Sequence, residues 1–256
     1  MLAREGKARS FSDNARLAIV LSCVAGAVNA TGFFLVGTYT SHVTGNVARI
    51  GDEIAQGNWA TARYALFLVV AFLLGAMVAT VLVEGARKVA GRAHYKSALL
   101  LESGVLAAFT ALAGAPGPPA LLTAMLCFAM GLQNALVTKI SGAIVRTTHL
   151  TGVTTDFGIE LVQLALWFRE RSRGLDLVGR LRMARLALRE PQLESLWLHF
   201  AIFASFLVGA TVGPLLWLRV GALAMALPCA LLLLLVAREA IAARRRIARP
   251  VESRAA

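Results

Sequence analysis

The sequence predicts an all-α, polytopic membrane protein: six transmembrane helices arranged as two inverted three-helix repeats, with short half-helices. Three observations predict it, namely the apolar runs, the placement of the basic residues, and a polar motif that occurs twice. Of the 256 residues, 58% are hydrophobic and mean hydropathy is +0.69. Runs long enough to cross a bilayer, about 20 residues each, fall near 17–36, 61–83, 97–113, 119–138, 196–216 and 220–238.

The formal net charge of +12 is a matter of placement rather than size. Arg4, Lys7, Arg9 and Arg16 precede the first run; Arg87, Lys88, Arg92 and Lys96 follow the second. Nine basic residues lie between the fourth and fifth runs, from Lys139 to Arg189, and Arg244-Arg245-Arg246 follow the sixth. Only Arg49, Arg63 and Arg219 occupy the alternate connections. Basic residues are retained on the cytoplasmic side, so the alternation predicts six crossings with both termini cytoplasmic. The excess charge also attracts anionic headgroups. Nucleic-acid binding would need a basic groove with interleaved aromatics, a pattern the chain lacks. Cys23, Cys127 and Cys229 all fall in apolar runs, with no disulfide framework and no metal spacing; no cofactor is expected.

The repeated motif is polar. Gly26-Ala27-Val28-Asn29-Ala30 and Ser41-His42-Val43-Thr44-Gly45 return as Gly131-Leu132-Gln133-Asn134-Ala135 and Thr148-His149-Leu150-Thr151-Gly152. Gly51, Glu53 and Gln56 then fall opposite Gly158, Glu160 and Gln163. Polar residues in apolar surroundings seldom recur in the same order by chance, so the chain reads as a duplicated unit.

In chain order, 1–16 is a basic cytoplasmic tail, 17–238 the transmembrane domain, and 239–256 a second basic tail. Repeat one covers 17–114 and repeat two 119–238, with a basic cytoplasmic linker at 169–195. A signal-peptide reading of the start, suggested by Ala27-Val28-Asn29-Ala30, fails because the same pattern recurs in mid-chain. Asn29 and Asn134 lie within runs; each is either an interhelical hydrogen-bonding group or part of a shared internal site. After the first run, Gly37 to Asn46 interrupts the helix, and Ser41 or Thr44 can cap a new one. Segments 46–56 and 153–168 read as re-entrant or interfacial half-helices, with Arg49, Glu53 and Gln56 on one face of the first and Asp156, Glu160 and Gln163 on one face of the second. Eight full crossings are disfavoured, because they would put the basic stretch 84–96 outside.

Gly75 and Ala79, and later Gly209-x-x-x-Gly213, offer close-packing faces, and Pro228 predicts a kink. The linker leucines, Leu175 to Leu188, suggest either an amphipathic helix on the inner membrane surface or a plain solvated linker. Trp167, Trp197 and Trp217 sit at segment ends, as interfacial anchors do; His199 reads as unremarkable.

Each unit has three spans, an odd number, so the second unit enters the membrane from the opposite side. That architecture is typical of secondary transporters, with sites near the midplane where broken helices of both halves meet. Alignment of the copies puts Arg49 opposite Asp156, which predicts that the two approach each other or flank one substrate. The simpler alternative is an Arg49–Glu53 pair one helical turn apart.

The motifs resemble the YoaK-like family of bacterial integral membrane proteins, catalogued as a domain of unknown function. The residues carrying the resemblance are Ala25 to Ala30, Ser41 to Asn46, Gly131 to Ala135 and Arg146 to Gly152, within about 15–240. The family typically has Asp at the position of Asn29. The resemblance implies a multi-pass protein of the bacterial inner membrane and supplies no substrate.

Three function classes follow. The first is a secondary transporter of a small solute, binding through Asn29, His42, Thr44, Gly45, Asn46, Arg49, Asn134, His149, Thr151, Gly152 and Asp156. The second is a non-transporting membrane scaffold or lipid-binding protein, organised through the basic linker. The third, an enzyme, is disfavoured: no nucleophile–base spacing, paired-histidine metal motif or phosphate loop accompanies the two histidines. His42 and His149 serve either the broken backbone or proton coupling. The expected partners are the bilayer, the solute and, in a homo-oligomer, a second copy.

Overall fold

The computed structural model describes residues 10–90, 95–114, 118–142, 145–187 and 191–247. Among them there are helices and no strands: α1 (Phe11–Val36), α2 (Val43–Ala55), α3 (Trp59–Ala90), α4 (Tyr95–Leu112), α5 (Pro119–Ser141), α6 (Leu150–Arg171), α7 (Leu177–Ala187), α8 (Pro191–Val220) and α9 (Ala226–Ile247), the last two joined by a 3-10 turn, Gly221–Met225. The expected tails lie outside the described residues at 1–9 and 248–256; their inner parts belong to α1 and α9.

Five stretches are long and apolar enough to cross a membrane: Phe11–Leu35, Trp59–Lys88, Tyr95–Leu112, Pro119–Ser141 and Leu193–Ile241. The fifth holds both α8 and α9. The protein is therefore membrane-embedded and all-helical. On α3, Leu66, Phe67, Val70, Leu73, Leu74, Met77 and Val81 face outward, an apolar surface that lipid covers.

Local chemistry sets the helix ends. The Ser10 hydroxyl accepts from the Asp13 amide at 3.2 Å and caps α1. Pro119 opens α5, where its missing N–H costs nothing. Gly37 and Gly142 close α1 and α5 at φ 69° and 64°, left-handed backbone that glycine adopts without strain. They stand at the same place in the two copies. Pro228 lies in the first turn of α9 and makes no kink; the break falls before it, at the 3-10 turn.

The most extensive packing is crosswise: α1 against α8, and α3 against α5. Lipid is as apolar as leucine, so helices in a bilayer gain from close contact rather than from escape from water. The glycines provide that contact. A methyl on Gly26 would overlap the Phe206 carbonyl oxygen, and one on Gly209 would overlap that of Cys23. The second interface repeats this, with Gly131 against the carbonyl of Phe72 and Gly75 against that of Phe128. The sequence shows the reason, since Phe72-Leu73-Leu74-Gly75-Ala76 and Phe206-Leu207-Val208-Gly209-Ala210 are a further duplicated stretch. The expected Gly209/Gly213 face packs on α1, where Gly213 meets Ala27 and Thr31. Leu17, Leu21, Leu106, Phe109, Leu126, Met130, Leu132 and Leu136 fill the core between these pairs.

The two short helices differ from expectation in one respect. α2, with 13 residues, is about 20 Å long at 1.5 Å per residue, too short to cross. α6 has 22 residues, about 33 Å. It exceeds the expected 153–168 at both ends, so it is not short. It is still not among the stretches apolar enough to cross, because it carries Asp156, Glu160, Arg169, Glu170 and Arg171. α2 packs on α3, and α6 on α8. The linker helix α7 leaves Leu177, Val178, Leu181 and Leu186 exposed.

Candidate functional site

The interrupted segment after α1 is held by one side chain. Asn29 is buried, and its carbonyl oxygen accepts two bonds from Ser41, from the amide at 2.8 Å and the hydroxyl at 2.9 Å. Asn29 thus satisfies backbone that the helix break leaves free, within the helical region of the fold. A carboxylate at this position would accept the same bonds, so the architecture does not distinguish Asn from Asp here. Its counterpart Asn134 makes no side-chain hydrogen bond among the described residues and faces a cavity.

Both histidines occupy the residue before their short helix, with nearly the same backbone: φ −87° and ψ 65° at His42, φ −88° and ψ 57° at His149. Neither side chain caps the helix, and neither do Ser41 or Thr44. Each ring lies over the glycine three residues on, Gly45 or Gly152, where an added methyl would overlap it. The Thr-Gly of the motif therefore has a packing reason. A residue with Cβ would turn the ring, an exposed side chain, out of this position.

Arg49 and Asp156 do not pair. Arg49 donates to Glu53 at 3.4 Å and to Thr38 at 3.3 Å, the simpler alternative. Glu53 also accepts from Asn58 at 3.0 Å. Asp156 is exposed and lines a cavity of about 370 Å3 with Arg146, His149 and His199. Equivalent positions on two helices come together only if the helices pack on each other, and α2 and α6 pack on different partners, α3 and α8. Thr44 is exposed and Asn46 buried on α2; neither faces a described cavity.

Two cavities organise the remaining candidates. The larger, about 710 Å3, is lined from α1 by Asn29, Ala30, Phe33 and Phe34, and from the following loop by Tyr39, Ser41 and His42. Opposite stand Ala210 and Pro214 of α8 with Thr148, Leu150 and Thr151 of the second copy. Phe33 and Tyr39 stack in it with ring centroids 4.6 Å apart. The smaller, about 380 Å3, is lined by Ala76, Thr80, Asn134, Ala135, Thr138, Lys139, Arg146 and His149. Each of these eight has a counterpart in the larger cavity: Ala210, Pro214, Asn29, Ala30, Phe33, Phe34, Tyr39 and His42, in that order. One architecture is built twice and lined differently. Where one cavity has Phe34 and Tyr39, the other has Lys139 and Arg146. The turn 146–151 borders both: Thr148, Leu150 and Thr151 line the larger cavity, Arg146 and His149 the smaller.

Several polar residues outside the motif matter as well. His199 is not idle. Its Nδ1 lies 2.8 Å from Glu160, which also accepts from the Ser195 hydroxyl, so the carboxylate fastens α6 to α8. Lys139 pairs with Glu84 at 2.7 Å and ties α5 to α3. Gln133 donates to the Leu21 carbonyl and joins α5 to α1. Glu102 on α4 is fully buried and neither carboxyl oxygen has a hydrogen-bond partner among the described residues. A lone carboxylate in an apolar run is a signal readable in the sequence; the Glu160–His199 pairing is not, because it joins residues 39 apart on two different helices.

Comparison with known proteins places the chain among transmembrane proteins. No solved structure matches. The chain is 27% identical to the UPF0700 transmembrane protein YoaK of Bacillus subtilis (strain 168) over 157 residues, 60% of this chain and 69% of that protein. It is 29% identical to the UPF0700 transmembrane protein RA0705 of Rhizobium meliloti (strain 1021) over 211 residues, 77% of this chain and 89% of that protein. The family model described as "Protein of unknown function (DUF1275)" matches residues 17–238. The chain belongs to that family, a family of transmembrane proteins without an assigned activity.

Proposed function

We propose that the protein is a secondary transporter of a small solute, with its site between two inverted repeats. One observation carries the reading: two equivalent sets of eight positions, each drawn from both copies, build two cavities, and the turn 146–151 borders both. Inverted repeats related by an axis in the membrane plane place equivalent cavities toward opposite faces, the geometry that alternating access uses. Crosswise packing of α1 on α8 and α3 on α5 supports it, since exchanging the copies turns one pair into the other. Six crossings follow if the 49-residue stretch Leu193–Ile241 is divided at the 3-10 turn, with α2 and α6 not spanning. The charge alternation then puts both termini in the cytoplasm and the protein in the bacterial inner membrane. In this reading it binds its solute without chemical conversion, by itself or as a homo-oligomer.

The test needs no substrate. In a background with Cys23, Cys127 and Cys229 replaced, Ala30→Cys and Ala135→Cys probe equivalent walls of the two cavities. An impermeant maleimide applied to vesicles of each orientation should reach them from opposite faces. Labelling of both from one face only would sink the inverted arrangement.

One observation favours a second reading, a lipid-binding scaffold. α7 exposes Leu177, Val178, Leu181 and Leu186 beside Arg180, Arg182 and Arg185, the composition of a helix on an anionic membrane surface. If replacing 175–187 with a neutral flexible linker abolishes the cellular phenotype while Ala30 and Ala135 substitutions leave it intact, the scaffold is the better account.

A further inference from the structure

The two cavities share one scaffold, so the residues at which they differ report what each has to recognise. In the larger, the positions that decide the chemistry are Phe34, Tyr39 and Leu218, all apolar or aromatic. In the smaller, the equivalent places are taken by Lys139 and Arg146 of the second copy and, on α3 of the first copy beyond the cavity wall, by Glu84. Lys139 and Glu84 hold each other at 2.7 Å, which leaves that pair formally neutral. Arg146 has no ion pair and no hydrogen bond among the described residues, and it is exposed to the cavity. Beside it, the Asn134 amide makes no side-chain hydrogen bond, and the His149 ring caps nothing. The hydroxyls of Thr80 and Thr138 are spent on backbone carbonyls, of Ala76 and Asn134 respectively, each at 2.9 Å or less. The cavity thus presents unused donors and one cation with no ion pair among the described residues; no carboxylate lines it, and the nearest, Asp156, lines the adjoining cavity that Arg146 and His149 also border.

We propose that this cavity binds an anionic oxygen group, a carboxylate or phosphate, with Arg146 as the principal ligand and Asn134 and His149 as hydrogen-bonding partners. The planar guanidinium suits a two-oxygen contact with such groups. A neutral solute would need none of these departures from the twin cavity. The volume of about 380 Å3 lies toward the lower end for ligand sites, which favours a small solute or a headgroup. The binding chemistry rests on the cavity alone; its purpose as a solute site rests on the transport reading.

The experiment is thermal unfolding of the full chain in detergent, with inorganic phosphate, benzoate, or potassium chloride at equal ionic strength. Parallel samples contain dioleoylphosphatidylglycerol or dioleoylphosphatidylcholine. Variants are Arg146→Gln and Arg146→Lys, both at an exposed position where folding is not at risk. Phosphate or benzoate should raise the wild-type midpoint by roughly 3 °C or more over chloride. Arg146→Gln should abolish the rise, and Arg146→Lys should diminish it. A rise from phosphatidylglycerol alone, lost in Arg146→Gln, establishes the anion site with a lipid headgroup as its occupant. Shifts that are absent, or equal in wild type and Arg146→Gln, overturn the proposal. Flux in reconstituted vesicles separates the two readings. Arg146-dependent binding without flux removes the transporter and leaves the site. Flux that neither Arg146 variant alters, together with no Arg146-dependent shift in the midpoint, removes the site and leaves the transporter.

Discussion

Gly26 of α1 and Gly131 of α5 meet their neighbours in the same way: a methyl on the first would overlap the Phe206 carbonyl oxygen, and a methyl on the second that of Phe72. The obstacle in each case is helix backbone, which cannot rotate aside. Gly26→Ala and Gly131→Ala should each destabilise by at least the roughly 1–3 kcal/mol of an overpacked core. Gly51 and Gly158 are the control, since they are helical, equivalent, and have open space where the methyl would go. Alanine there should stabilise by about 0.5–1 kcal/mol through helix propensity. Thermal unfolding in detergent checks both signs, and a loss at Gly51 would show that α2 meets something the fold does not contain.

The Asn29 tie predicts an asymmetry between matched residues. Asn29→Ala leaves the Ser41 amide and hydroxyl without their acceptor, a cost of about 1–3 kcal/mol for buried groups. Asn134→Ala removes no hydrogen bond among the described residues and should cost less than 1 kcal/mol of stability. Asn29→Asp should fold as wild type. Equal losses at Asn29 and Asn134 would contradict the assignment of one to structure and the other to the cavity.

Glu53 and Glu160 are matched carboxylates with unlike partners. Glu53 bonds the half-exposed Arg49 and exposed Asn58, contacts worth about 0–1 kcal/mol. Glu160 bonds Ser195 and His199 with only 15% of its side chain exposed. Glu160→Ala should therefore cost more, about 1–3 kcal/mol, and should loosen α6 from α8. Hydrogen exchange of α6 amides reads this directly. Exchange in α6 unchanged from wild type would mean that other contacts dock the helix.

Glu102 carries a prediction of opposite sign to most core substitutions. Its two carboxyl oxygens are buried without partners among the described residues, and such groups cost about 1–3 kcal/mol each when left unsatisfied. Glu102→Leu, of similar volume, should raise the unfolding midpoint by several degrees. A fall would reveal that the carboxyl serves a partner, a proton or an ion when the protein works.

The fold was legible where the chain repeats itself in polar residues. Asn29, His42 and Gly45 reappear as Asn134, His149 and Gly152, and the structure shows each pair on equivalent backbone. The crosswise packing was half legible. Gly209-x-x-x-Gly213 marked a contact face, but the match of Phe72–Ala76 to Phe206–Ala210 lay among apolar residues, where similarity carries little information. The opposition of Arg49 and Asp156 misled, because alignment gives equivalence and not proximity. Each residue answers instead to the helix it lies against. The distinct linings of the two cavities could not be read in advance, since they depend on which faces of α3 and α8 turn toward α5 and α1.

Interleaving of the copies constrains how the chain is made. α1 leaves the ribosome some 180 residues before the α8 backbone that its glycine needs, so the first helix waits in the membrane with an unfilled contact. Topology of this kind folds late, because distant contacts reward loop closure only once the chain is nearly complete. A truncated product would expose Gly26 and Gly131 notches to any helix that fits them, including those of another nascent copy. Assembly between two incomplete chains is the error this architecture invites, and a protein cut between α6 and α8 is the form in which its two parts should find each other again.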